Sequence, residues 1–173
     1  RSFFVFGLDV KTIIMTLIDC RNLFRNVLQP ICSSREADLY YKMLLEHHFD
    51  WDATFLGLHP QHLLTERQLS ILEQSLSELK QERPIQQIIE WTWFRDIKLR
   101  VSPDVLIPRP ETEELVDWVL EDCKTLKESK SVLDVCTGSG CVAIALAKDQ
   151  QHFCVEGLDV SKKALAIANE NAR

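Results

Sequence analysis

The sequence predicts an α/β fold in three parts: a small amino-terminal helical bundle, a β-hairpin linker, and the first half of a Rossmann-like, doubly wound domain. Three observations predict it. Apolar residues recur at helical spacing up to residue 83, and the pattern turns to period two from Trp91. From Ser131 the order is strand, Gly-rich turn, helix, strand.

The 173 residues are 46% hydrophobic and 27% charged, the balance of a globular protein with a real core. A net charge of −6 speaks against a general nucleic-acid or membrane-surface binder, which needs a basic face. The six cysteines form no CxxC pair, and several lie in apolar runs, which suits buried thiols in a reducing compartment. His47-His48 and His59-Pro60-Gln61-His62 lack the Cys or carboxylate partners that complete a metal site, so no metal is expected. Residues 1–14 open on an apolar run broken by Asp9 and Lys11, too short to span a bilayer. They read as an upstream or appended segment.

In the bundle (15–83), Leu69, Leu72, Leu76 and Leu79 mark one helix face, and Thr65 with Gln68 makes a capping box at its start. Earlier helices are predicted over 34–48 and 17–28, the latter stopping at Pro30. Pro84 ends the helical part. In the linker (84–107), Ile97, Leu99 and Val101 alternate with charged residues. Ser102-Pro103-Asp104 is a turn signal, and Val105-Leu106-Ile107 is predicted as the second strand of a hairpin bridging two domains.

The last part (108–173) starts with a helix at Pro108-Arg109-Pro110, with Glu111, Glu113 and Glu114 in a first turn that favours negative charge. Leu115, Val119 and Cys123, beside Val116 and Leu120, supply its apolar face. The two prolines restrict the backbone around Arg109, which suits holding a ligand or a loop.

Ser131–Val135 then reads as a strand, Thr137-Gly138-Ser139-Gly140 as a turn, Val142–Ala147 as a helix, and Phe153–Leu158 as a second strand ending at Asp159. Ser161 caps a further helix with Ala164, Leu165 and Ala168 inward. The glycines at 138 and 140 allow a sharp turn and close approach of a ligand. Asp159, nineteen residues past Gly140, stands where a carboxylate can accept both ribose hydroxyls. Gly138-x-Gly140-x-x-Ala143 also fits the dinucleotide fingerprint. Asp134, expected to be buried four residues before the first glycine, favours one choice: a carboxylate suits the cationic amino-acid end of S-adenosylmethionine better than a pyrophosphate. A dinucleotide and a purely structural use of the turn stay open on these residues alone.

The string Leu106-Ile107-Pro108-Arg109-Pro110-Glu111-Thr112-Glu113-Glu114-Leu115-Val116, followed by Val132–Gly140, closely resembles the HemK/PrmC protein-glutamine methyltransferases. Ser34–Ala37, Leu64–Glu66, Pro84–Ile89 and Ala164–Ala172 are similar to strings of the same family. The resemblance implies a class I S-adenosylmethionine-dependent methyltransferase. Its substrate is the glutamine side-chain amide in the Gly-Gly-Gln motif of peptide chain release factors. It implies a cofactor site at Asp134, Cys136, Thr137, Gly138, Ser139, Gly140 and Asp159, and a substrate-side segment at Arg109, Pro110, Glu111 and Thr112. A helical domain gripping the release factor, a cytoplasmic location, a monomer, and no direct contact with nucleic acid or membrane are also implied.

Three departures stand out. Cys136 replaces a usual glycine, and Gln87 and Glu90 replace a common tyrosine and glycine. The family's Asn-Pro-Pro-Tyr string, which aligns the substrate amide, does not occur. The chain ends two strands into a sheet expected to have about six or seven, so it reads as a truncated domain. It is expected to bind cofactor weakly and not to turn over alone, and its catalytic residues are unassigned. Two other readings stay open: a non-catalytic partner-binding fragment, and a fragment of a nicotinamide-dinucleotide dehydrogenase.

Overall fold

Thr16 begins the first helix by a reciprocal exchange. Its hydroxyl oxygen accepts from the Asp19 N–H at 3.2 Å, and the Asp19 carboxylate accepts from the Thr16 N–H at 3.3 Å. The same device opens the second helix at Ser33 and Glu36 and the fourth at Thr65 and Gln68, the last as the spacing predicts. The computed structural model describes residues 15–124, 128–150 and 152–173, so the segment 1–14 lies outside the described residues. These residues divide into two compact units between Ile88 and Ile89.

The first unit is helical: α1 (Leu17–Leu28), α2 (Ser34–Phe49), α3 (Ala53–Leu58), α4 (Glu66–Lys80) and α5 (Ile85–Ile88). α1 packs on α2 and α4. It presents Leu17, Cys20, Phe24 and Leu28 at the i, i+3, i+4 spacing of one helix face, all buried. From α2 come Tyr41, Leu44 and Leu45, and from α4 Leu69, Leu72, Leu76 and Leu79. Each such side chain contributes roughly 1.5–3 kcal/mol on burial, against about 1 kcal/mol for a cap, so packing and not capping holds the bundle together. Tyr41 keeps its hydroxyl satisfied by donating to the Leu17 carbonyl at 3.0 Å. Burial pushes the Cys20 thiol up to about 11, which keeps it an inert core group.

Two expectations change here. The helical part does not end at Pro84, because α5 follows it directly, a place where a proline's missing N–H costs nothing. α3 escaped notice because six residues are too few to show a period. It is opened by Asp52, which accepts from the Phe55 N–H at 2.8 Å.

In the second unit, β1 (Trp91–Phe94) pairs antiparallel with β2 (Ile97–Arg100), from Trp91 opposite Arg100 to Phe94 opposite Ile97. The predicted hairpin was displaced by one strand: Val105-Leu106-Ile107 is not a strand, and the turn is Arg95-Asp96. The physical reason is on both sides of β2. Val101 continues the pairing by donating to the Glu90 carbonyl, and Val105 then folds back in a turn onto Ser102. Val101 and Val105 instead bury with Ala164 and Ile167. The expected bridge over 84–107 is thus divided, with α5 in the first unit and the hairpin in the second.

α6 (Pro110–Cys123) and α7 (Cys141–Asp149) pack together. Val116, Ala145 and Leu146 are buried there with Phe94 and Leu99 of the hairpin. Leu115, expected on the inner face of α6, is about half exposed at 48%; Val116, Val119 and Leu120 face inward. The hairpin tip is fastened by Arg95. Its N–H donates to the Glu113 carboxylate at 2.9 Å, and its guanidinium pairs with Asp117 and Asp149.

β3 (Ser131–Val135) runs parallel to β4 (Cys154–Leu158), Asp134 opposite Gly157, and α8 (Lys162–Asn171) follows with Ala164 and Ile167 buried. Leu165 and Ala168, also expected inward on α8, are partly buried. Val132 and Val155 point into the core beside α7, while Leu133, Val135 and Leu158 are exposed. The strand–turn–helix–strand–helix order is that of an opening βαβ unit.

Candidate functional site

The turn between β3 and α7 is built on three left-handed backbones: Cys136 (φ 66°), Gly138 (φ 58°) and Gly140 (φ 82°). At Gly140 both sign and space demand glycine, since a Cβ would lie 3.0 Å from Ile144 Cδ1 and 3.2 Å from Ala168 Cβ. Gly140 is also the N-cap of α7 and supplies no side-chain acceptor, so the first N–H groups of that helix have no capping side chain.

The loop's polar groups are used with little slack. Thr137, only 6% exposed, donates its hydroxyl to Asp134 Oδ2 at 2.7 Å, and its N–H extends the sheet to the Leu158 carbonyl at 2.9 Å. Asp134 is partly buried, not buried as expected, and its hydroxyl partner comes from within the loop. Asp159 takes the Gly138 N–H on Oδ2 and the Ser161 N–H on Oδ1, both at 2.9 Å. The N–H of Ser161, and after it that of Gly138, hold the Asp159 carboxyl below the ordinary carboxylate range. Ser139, 2% exposed, lends its carbonyl to Asn171 Nδ2 at 2.8 Å.

The structure therefore brings Asp134, Cys136, Thr137, Gly138, Ser139, Gly140 and Asp159 to the carboxyl ends of β3 and β4. Arg109, Pro110, Glu111 and Thr112 form the start of α6 instead. Arg109 is the N-cap without a side-chain cap, Pro110 the first helical residue, and Thr112 N–H donates to the Arg109 carbonyl at 3.0 Å. Among the described residues, no hydrogen bond or ion pair ties these four to the loop. Also among the described residues, no cluster of His, Cys, Asp or Glu is arranged to hold a metal ion, and no helix is long and apolar enough to cross a membrane.

Two residues of the site went unread in the sequence. Gly157, opposite Asp134, has Thr137 against it, and a glycine inside a strand is the known mark of such an approach. Asn171 has no local signal at all, because its partners are far away in sequence.

The site's charge limits what it can hold. Two carboxylates stand at the loop, and from Ser131 to Ala147 there is no lysine or arginine. The Gly138 N–H, which a phosphate oxygen would take, is already given to Asp159. A cavity of about 260 Å3 borders Thr137, Gly140 and Gly157 but not Asp134 or Asp159. It lies along α7 and α8, through Ile144, Leu165 and Ala168.

Comparison with known proteins gives the same two-part division. The family model described as the PrmC N-terminal domain matches residues 21–89, and that described as the methyltransferase small domain matches 116–173. A release factor glutamine methyltransferase of Flavobacterium psychrophilum is 38% identical over 160 residues, covering 91% of this chain and 56% of that protein. One from Lactococcus lactis is 41% identical over 138 residues, 74% of this chain and 50% of that protein. One from Coxiella burnetii is 33% identical over 158 residues, 91% and 57%. The chain spans about half the length of the curated relatives it matches.

Proposed function

Because this chain belongs to the HemK/PrmC family, we propose that it carries the cofactor-binding part of an S-adenosylmethionine-dependent methyltransferase. We take the acceptor to be the side-chain amide of the glutamine in the Gly-Gly-Gln motif of a peptide chain release factor. The observation that carries the reading is the acidic loop, with Asp134 and Asp159 at the ends of adjacent parallel strands and Gly138 fastened to Asp159.

A cationic donor fits that loop. Asp134 faces an ammonium favourably, and Asp159, with one N–H on each oxygen, keeps lone pairs for ribose hydroxyls. The same charges disfavour the pyrophosphate of a nicotinamide dinucleotide. When bound, the cofactor supplies a methyl group activated by its sulfonium. The protein's part is then to orient and to exclude water, since an amide nitrogen is a poor nucleophile that gains most from alignment. Arg109, Pro110, Glu111 and Thr112 are proposed to border the acceptor, and the helical unit to grip the release factor. The protein acts as a cytoplasmic monomer in this reading. The Asn-Pro-Pro-Tyr string does not occur in these 173 residues, so we expect them alone to bind cofactor weakly and not to turn over.

Isothermal titration tests this, with S-adenosylmethionine and NAD as parallel ligands. Saturable binding of the first, weakened by Asp159→Ala and absent for NAD, is the expected result. Binding of NAD in its place overturns the reading. Micromolar affinity for S-adenosylmethionine overturns only the expectation of weak binding.

A further inference from the structure

A cleft of about 210 Å3 opens in the helical unit, bordered by α1, α2 and α3. Leu17, Ile18, Leu56 and Pro60 give it apolar walls, and Arg21 and Lys42 stand among them. The charges around it do not balance. Asp38 is the carboxylate beside Arg21, Arg25 and Lys42, and Arg25 takes both of its oxygens, Nε to Oδ1 at 2.7 Å and Nη2 to Oδ2 at 2.5 Å. Neither Arg21 nor Lys42 has an ion pair among the described residues. Arg21 Nε is also sealed from water, with no acceptor among the described residues. A buried donor left in that state is unfavourable.

We propose that this cleft is a binding site for a carboxylate carried on a short apolar stem. The walls take the stem, and the guanidinium of Arg21 and the ammonium of Lys42 take the anion, with Arg21 offering a planar fork suited to a carboxylate. The volume decides the class of ligand. Pockets for drug-sized ligands run to about 300–1,000 Å3, so this one takes a small acid or one residue of a peptide. A free short-chain acid and the apolar carboxyl-terminal residue of a peptide share this chemistry. The site lies in a different unit from the Gly-rich loop and stands or falls independently of the methyltransferase reading.

Titration of the isotope-labelled 173-residue protein, followed by amide NMR shifts, tests it. The probes are 4-methylpentanoate, a tripeptide ending in a leucine carboxylate, and that tripeptide as its terminal amide. We expect saturable shifts at Ile18 and Gly57 with one or both acids up to about 10 mM, the weak range set by so small a contact. The terminal amide and the Arg21→Met protein should bind about tenfold or more weakly, the loss of a charge-assisted bond. Response to the free acid alone identifies a small acid as the occupant, and response to the peptide alone identifies a chain end. Equal response to acid and amide, or no saturable shift with any probe, overturns the proposal. Should Arg21→Met fail to fold, Lys42→Met replaces it: Lys42 lines the same cleft with an exposed side chain, and the same weakening is expected.

Discussion

Thr137 leaves no room for a side chain on Gly157: a Cβ built there would lie 2.9 Å from Thr137 Oγ1 and 3.1 Å from its Cγ2. The strand and the loop are therefore matched at one point of contact, and that contact also sets the hydroxyl that Asp134 accepts.

Gly157→Ala should destabilise the second unit by about 1–3 kcal/mol, the range for overpacking a filled site. Thr137→Ala in the same chain removes the obstruction, so the pair of substitutions should cost less than the sum of the singles. Denaturant unfolding of the four proteins measures this, and additive effects would show that the two residues do not press on each other.

Asn171 acts as an extra strand residue against Arg100. Its Oδ1 accepts from the Arg100 N–H at 2.7 Å, and its Nδ2 donates to the Arg100 carbonyl at 3.0 Å and to the Ser139 carbonyl at 2.8 Å. Asn171→Ala should cost about 1–3 kcal/mol, less than three full hydrogen bonds because two of them are exposed. Hydrogen exchange at the Arg100 amide should quicken by the matching factor. An unchanged rate would mean that solvent replaces Asn171 without loss.

Cys136 holds a left-handed backbone at φ 66° with its side chain exposed. A residue with a Cβ pays about 1–2 kcal/mol there, while glycine carries about 0.5–1 kcal/mol of extra chain entropy. The strain is the larger, so Cys136→Gly should stabilise by up to about 1 kcal/mol in thermal unfolding. A clear loss would mean that the thiol makes a contact of its own.

The Asp159 carboxyl is held low by the N–H groups of Ser161 and Gly138. A depressed value in the folded state means stability that is present above the unfolded value of about 3.9 and is lost as pH falls through the folded one. Carboxyl 13C titration should place its midpoint below about 3.9. Asp159→Asn should flatten the acid limb of the stability curve. A midpoint at or above the ordinary value would rule out the two-donor arrangement.

The elements with a full period and a capping side chain were legible in the sequence. Leu17–Leu28 was read to its ends, and Ser34–His48 and the 65–79 helix to within a residue. The hairpin was misplaced because Phe94 breaks the alternation that starts at Trp91 and Arg95-Asp96 is not a glycine turn, so the boundary between its two strands did not show. Leu115 was turned inward because a helix face one residue to either side shows nearly the same spacing, and only packing on α7 decides between them. The loop residues from Asp134 to Gly140 were legible through local backbone demands. Gly157 and Asn171 were not read, since what they do depends on residues brought close by the fold.

The fastening of the loop also has a consequence in time. Ser139 and Asn171 stand 32 residues apart, and Arg100 and Asn171 stand 71 apart. A ribosome adding about 5–20 residues per second needs roughly 2–6 s to travel from one end of the shorter span to the other. For that interval the glycine turn has been made but lacks the side chain that ties Ser139 to Arg100. Its final shape waits on an asparagine that has not yet been synthesised.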